Sequence, residues 1–410
     1  MEASLLIKLP RLVLGRSSAV RQARLSSTFS LDDTMGLTEE QRQMQKIAKD
    51  FATKEWLPNM HTWDQKHTFP REALCAAAAL GFGAIRVREK FGGSGLGSLD
   101  SAVIFESLAR GCTSTAAYLS IHNMSTWIVD TFGNEHQRAK WIPKLATMEF
   151  CSSYCLTEPG SGSDAAALVT RAIRDNDHYV VNGSKAFISG GGESDLYVCM
   201  VRTGDKGPKG ITCLAIEKGT RGLSFGKNEE KLGWNTHPTR ALILEDCLVP
   251  VTNRLGDEGQ GFNIAMKGLN NGRVNIAACS VGAAAASIDF VVNYIRGRKQ
   301  FGKAIADFQF NQFRVAEMAI KLQASRLMVR EAAKCVQEER PNATEICAMA
   351  KCFATEACFE ITDKAMQLMG GYGFIKEFPV QQYFRDCRAH PIIEGTNEIM
   401  RLIIARDILK

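Results

Sequence analysis

The strongest constraint on the fold is a hydrophobic period that changes twice along one chain. From Thr38 to about residue 147, apolar residues recur mostly at helical spacing. Between about Cys151 and Val251 the period drops toward two. Tyr179-Val180-Val181, Leu196-Tyr197-Val198-Cys199-Met200-Val201, Thr212-Cys213-Leu214-Ala215-Ile216 and Ala241-Leu242-Ile243-Leu244 read as strands with turn residues between them. Beyond Gly261, long helical runs return over 262–296, 308–338 and 343–369. The expected class is α+β, ordered as helical domain, β-sandwich or barrel, helical bundle. The expected boundaries are 36–150, 151–255 and 256–410.

Local signals refine this order. Thr38 and Gln41 have capping-box spacing, so a helix is expected to start there. The glycine-rich stretch 91–97 is not G-x-G-x-x-G and reads as a loop between helices. No strict G-x-G-x-x-G follows a strand, which counts against the common nicotinamide-dinucleotide architecture. Asn182-Gly183 between strand-like residues predicts a hairpin turn. Beyond it, Phe187 and Ser189 are expected to share one strand face.

The first 30 residues differ in kind. They carry Lys8, Arg11, Arg16, Arg21 and Arg24 among leucines and serines, with Glu2 as the sole acid. This composition predicts a mitochondrial transit peptide over 1–30, and so a place in the mitochondrial matrix. The leader accounts for +4 of the net charge of +6, so the remainder is nearly neutral and gives no support to nucleic-acid binding. Thirteen cysteines without a C-x-x-C pair argue against both a zinc site and a secreted disulfide framework. The seven histidines form no ligand cluster, so no metal is expected. No stretch reads as a membrane span. The most apolar run begins at Ala277, and its alanines suit a closely packed helix.

Two segments carry chemistry. Tyr383-Phe384-Arg385-Asp386-Cys387-Arg388-Ala389-His390-Pro391-Ile392-Ile393-Glu394-Gly395-Thr396-Asn397-Glu398 sets one carboxylate, Glu394, between an apolar run and a Gly-Thr turn. Partial desolvation there would raise its pKa and make it a base near neutral pH; a plain surface glutamate is the alternative. Tyr154-Cys155-Leu156-Thr157-Glu158-Pro159-Gly160-Ser161-Gly162-Ser163-Asp164 runs from an apolar stretch into a Pro-Gly turn. Such a turn offers N–H groups and hydroxyls to a pyrophosphate or a flavin edge, or is an ordinary Gly/Ser loop.

These two segments, with Asn182-Gly183-Ser184-Lys185-Ala186-Phe187-Ile188-Ser189-Gly190, Arg298-Lys299-Gln300-Phe301-Gly302 and Gln367-Leu368-Met369-Gly370-Gly371-Tyr372-Gly373, resemble the acyl-CoA dehydrogenase family in order and spacing. The likeness runs from about residue 36 to the C-terminus. It implies a helical domain, a β domain and a C-terminal four-helix bundle, with FAD between them. It implies α,β-dehydrogenation of an acyl-CoA thioester, with Glu394 as base. Some members place the base on the helix carrying Gly268-Leu269-Asn270-Asn271-Gly272-Arg273; the corresponding position here is Gly272, which cannot abstract a proton.

The resemblance further implies FAD contacts from Tyr154 through Ser163, from Phe187, Ile188 and Ser189, and from Thr396, Asn397 and Glu398. Many relatives have Trp where Phe187 stands, so an aromatic face is kept and an N–H donor lost. Arg298, Phe308, Gln309 and the run Gln367, Leu368, Met369, Gly370 and Gly371 would reach the FAD of a neighbouring subunit in a homotetramer. Ser163, Asn270, Asn271, Gly272, Arg273 and Arg406 would meet substrate or CoA. Electron-transferring flavoprotein would be the acceptor. The finer likeness implies a short branched acyl group, isobutyryl-CoA going to methacrylyl-CoA in valine breakdown. A 2-methylbutyryl or short straight chain is the alternative, and a non-catalytic scaffold of the same fold the distant one. Bland readings stand beside these roles: a helix C-cap at Gly370-Gly371, a carboxylate partner for Arg298, a bundle ion pair for Arg273 and a satisfied core histidine for His122.

Overall fold

The computed structural model describes residues 33–410; the basic leader expected over 1–30 lies outside the described residues. Helix α1 (Glu39–Phe51) starts on the Thr38–Gln41 capping box, with Gln41 N–H donating to Thr38 Oγ1 at 3.3 Å and Thr38 N–H to Gln41 Oε1 at 3.1 Å. Short helices α2 (Met60–Lys66) and α3 (Arg71–Ala78) follow. The glycine-rich loop then leads into α4 (Ser98–Ala109), α5 (Thr113–Phe132) and α6 (Glu135–Ala146). Helices α4 and α5 are buried along nearly all their length, so their apolar residues do not make a single stripe.

The strands are β1 (Ser152–Cys155), β2 (Arg171–Asp175), β3 (His178–Ser189), β4 (Leu196–Arg202), β5 (Ile211–Glu217), β6 (Leu223–Phe225), β7 (Thr239–Pro250) and β8 (Arg254–Leu255). They form one sheet in the order β6-β7-β3-β2-β4-β5-β8, with β1 added parallel to β4. Strands β4 and β5 are covered on both faces, which explains their continuous apolar runs. One face packs Tyr179, Val181, Tyr197 and Cys199 into a core of its own. The other sends Val198, Met200, Cys213 and Ala215 against the helices.

The hairpin expected at Asn182-Gly183 is corrected. Strand β3 runs straight through it, and the β2–β3 turn comes earlier, at Asn176 with φ +53°. Asn182-Gly183 instead sits at a shift of register against β7. Gly183 has φ +145°, and a Cβ there would lie 2.7–2.9 Å from Thr170. The glycine therefore serves a bulge and a close strand approach.

The C-terminal part has three long helices, α7 (Gly261–Gly297), α8 (Gln309–Gln337) and α9 (Ala343–Met369). A small hairpin, β9 (Lys299–Gln300) with β10 (Lys303–Ala304), joins the first two. Helices α10 (Gly371–Phe374), α11 (Val380–Cys387) and α12 (Asn397–Ile408) complete it. By length and composition α7 would pass for a membrane span, yet most of its side chains are buried inside the fold. Its small residues permit close packing: a Cβ on Gly282 would overlap the Glu106 carbonyl of α4 and come within 3.0 Å of Ala109. Every one of the thirteen cysteines is free, and all but Cys75 are buried.

Candidate active site

A cleft of about 1170 Å³ lies where the β domain, α5, α7 and the segment before α12 meet. Tyr154, Leu156, Thr157, Gly162 and Ser163 form one wall, Phe187 and Ser189 another, and Arg273, Glu394, Thr396 and Arg406 a third. Residues more than 200 positions apart thus face one chamber.

Glu394 reaches it through an uncommon backbone, with φ +56°. Its carboxylate lies over Gly272 of α7. A Cβ built on Gly272 would stand 2.6 Å from Glu394 Cδ, so any side chain larger than hydrogen would displace the carboxylate. Glu394 Oε2 is shielded and has no hydrogen-bond partner among the described residues. Burial pushes the Glu394 pKa up to about 7, against the opposing pull of Arg273 and Lys351. A carboxyl divided between its acid and base forms at neutral pH suits proton transfer.

Two cations hold the turn. Arg273 Nε donates to the Glu394 carbonyl at 3.1 Å and its Nη1 to Asn270 Oδ1 at 3.0 Å. Lys351 of α9, fully buried, donates to the Gly395 carbonyl and to Asn397 Oδ1, both at 2.8 Å. Burial lowers the Lys351 pKa to about 8.

The cleft fits a planar cofactor. Phe187, at φ +57°, exposes 72% of its surface on the cleft wall, where an aromatic side chain is normally covered. Thr157 and Ser189 bring hydroxyls to the same place. The loop bearing Thr157 is anchored: Glu158 is buried, accepts from Lys185 Nζ at 2.7 Å, and takes the N–H groups of Val169 and Thr170 at 2.6 and 3.0 Å.

Comparison with known proteins agrees with this geometry. The family models for the acyl-CoA dehydrogenase N-terminal, middle and C-terminal domains match residues 38–149, 153–247 and 259–409. The chain belongs to the acyl-CoA dehydrogenase family. It is therefore an FAD-dependent oxidoreductase acting on an acyl-CoA. It is 58% identical to the mitochondrial isobutyryl-CoA dehydrogenase of Bos taurus over 95% of this chain and 93% of that one. The Dictyostelium discoideum protein of the same name is 54% identical over 95% and 94%. The butyryl-CoA dehydrogenase structure from Megasphaera elsdenii superposes with a TM-score of 0.88 at 36% identity, covering 91% of this chain and 99% of that one.

Not every side chain expected at this acyl-CoA dehydrogenase site faces it. Cys155 is buried in the sheet core. Glu158 is turned onto Lys185, and Ser161 donates its hydroxyl to the Asp164 carbonyl at 2.6 Å. Asn397 is buried against α9, bonded to Lys351, Thr355 and Glu356. These four side chains shape the loops that carry the site. Pro159, Gly160 and Glu398 are exposed outside the cleft lining. Asn270 bonds to Thr344 and Arg273, and Asn271 is buried. Arg273 lines the cleft and grips the Glu394 turn, in place of the bundle ion pair. His122 is a satisfied core histidine, its Nδ1 accepting from Ser152 N–H and its Nε2 meeting the Leu145 carbonyl, both at 3.0 Å.

Arg298 and Gln367 through Gly371 line a second, smaller cleft of about 690 Å³. Phe308 and Gln309 stand beside it at the start of α8. No carboxylate partner for Arg298 is found among the described residues. Gly370, at φ +60°, is also the C-cap of α9.

Sequence reasoning missed Lys351, Lys185 and Trp234. Lys351 had a signal, a lone base inside the apolar run Ala348-Met349-Ala350-Lys351-Cys352-Phe353. Such a buried amine needs acceptors, and here they come from the Glu394 turn.

Proposed function

We propose that this chain oxidises a short branched acyl-CoA, isobutyryl-CoA going to methacrylyl-CoA in valine breakdown. The observation that carries the reaction is the Glu394 carboxylate held over Gly272, its Oε2 without a hydrogen-bond partner among the described residues and its pKa pushed up to about 7. Glu394 takes the α-proton of the thioester. Its own backbone N–H, for which no protein acceptor is found among the described residues, is free to bind the thioester oxygen as negative charge grows there. FAD, when bound, supplies the two-electron acceptor that takes the β-hydrogen as hydride, leaving a C=C bond. Thr157, Phe187 and Ser189 would hold its ring; Ser163 and Arg406 would hold CoA.

The branched substrate is supported by 58% identity to the bovine isobutyryl-CoA dehydrogenase. The names of that relative and the Dictyostelium one support a mitochondrial address, as does the basic leader. Import of a fluorescent fusion that fails only when residues 1–30 are removed is the check. Electron-transferring flavoprotein is the proposed acceptor, by family resemblance.

A homotetramer is proposed by family resemblance, and a row of apolar side chains on α8 supports self-association. Phe313, Ile320 and Leu327, seven residues apart, are 59%, 69% and 46% exposed. Phe301, at the tip of the β9–β10 hairpin beside Arg298, is 93% exposed.

The test of substrate is kcat/KM for isobutyryl-, 2-methylbutyryl-, isovaleryl- and butyryl-CoA with the flavoprotein acceptor. Isobutyryl-CoA should lead, with overlap from its neighbours, because one methylene is worth only ~1–3 kcal/mol in an apolar pocket. A tenfold or larger lead for butyryl-CoA would overturn the branched-chain assignment and leave the reaction class standing.

A further inference from the structure

Trp234 belongs to the loop between β6 and β7, yet it sits deep among helices. Only 5% of it is exposed, it lines the cleft, and its backbone is left-handed at φ +57°. A bulky residue keeps that conformation only when its surroundings fix it. Here they do. Trp234 N–H donates to the buried Asp386 Oδ1 at 2.7 Å, and a Cβ on Gly233 would come within 2.5 Å of the Arg385 carbonyl, so loop and helix α11 are in close backbone contact. On the other side Asn235 Nδ2 donates to Asp64 at 2.9 Å, and Thr236 bonds to Ser114 of α5 at 2.7 Å.

The indole is equally confined. It packs with Ala117 of α5, Ile276 of α7 and Ile393. Behind it stand two imidazoles edge-on, His237 at 5.3 Å and His390 at 5.6 Å between ring centroids. Burial lowers both imidazole pKa values to about 3, so they are neutral backing for an apolar wall.

Position turns this wall into a limit. Gly272 receives the Glu394 carboxylate, and Ile276 lies four residues, about one turn, further along α7, a rise of about 6 Å. Ile393 immediately precedes Glu394. An acyl group whose α-carbon lies at the carboxylate, and whose chain runs along α7 toward Ile276, meets the indole after a few carbons. Resting on the acyl-CoA dehydrogenase reading above, we propose that Trp234 ends the acyl pocket and restricts the enzyme to short acyl groups.

The experiment compares FAD-loaded wild type with Trp234→Leu and Trp234→Phe. It measures the ratio of kcat/KM for hexanoyl-CoA to that for isobutyryl-CoA within each preparation, so a general loss of active enzyme cancels. Trp234→Leu should raise the ratio at least tenfold, the scale of one or more methylenes admitted. Trp234→Phe, the gentler change, should raise it about threefold or more, and it decides the matter if the Leu variant fails to fold. Ratios within twofold of wild type in an FAD-replete variant would overturn the proposal. Wild type that turns over no acyl-CoA would instead defeat the functional reading itself.

Discussion

At Glu394 the backbone and the side chain meet separate demands. A left-handed φ of +56° turns the carboxylate back over α7, and Gly272 leaves the space it enters. Desolvation then raises its pKa from an ordinary 4.5 to about 7. The folded state holds this proton more tightly than the unfolded chain, so the group's stabilising contribution is present at low pH and is lost as pH rises from about 4.5 through 7. Activity runs the other way, because the base must be ionised. kcat/KM should therefore rise with pH through about 7 and level off above it. A profile flat from pH 5.5 to 8.5 would mean that a different group accepts the proton. The motif placed Glu394 from sequence. The pairing with Gly272 was legible only as an absence of a rival base, since the contact joins positions 122 apart.

At the scale of elements, the long helices and most strands were legible because their apolar periods are continuous. The 343–369 run matches α9 residue for residue. Asn182-Gly183 misled because the same dipeptide serves a hairpin turn or a bulge, and only the neighbouring Thr170 decides which. In the site loops Glu158 and Asn397 are polar residues inside a motif whose side-chain partners, Lys185 and Lys351, lie elsewhere in the chain, whereas Ser161 bonds within its own motif. Lys351 shows what such partners do. From α9 it ties Gly395 and Asn397 to the bundle, and its charge draws the Glu394 pKa down. Lys351→Met should leave two buried acceptors short of a donor, a loss on the order of 2 kcal/mol. It should lower kcat/KM at least tenfold and move the acidic limb of the pH profile to higher pH. A limb that stays put or moves down would show that Lys351 is only structural filling.

Across the whole molecule, two clefts divide the expected cofactor residues. Phe187 and Thr157 face the one with Glu394, whereas Arg298 and Gln367 through Gly371 line the other. In the proposed tetramer a second copy of the chain would bring both sets to one FAD, and the apolar row on α8 offers a surface for it. Arg298→Ala should weaken FAD retention roughly 10- to 150-fold, since a charge-assisted hydrogen bond is worth roughly 1.5–3 kcal/mol, and should shift the oligomer toward smaller species. Size-exclusion analysis with flavin absorbance reads both. A monomer that keeps its full FAD would contradict the shared site.

Anaerobic mixing of FAD-loaded Glu394→Gln with isobutyryl-CoA decides whether Glu394 is the base. Glutamine keeps the size of the side chain and the space over Gly272 but cannot take the α-proton. The variant should bind FAD and substrate normally with a flavin band that does not bleach, while wild type bleaches within the mixing experiment. Bleaching of the variant at the wild-type rate and extent would contradict it.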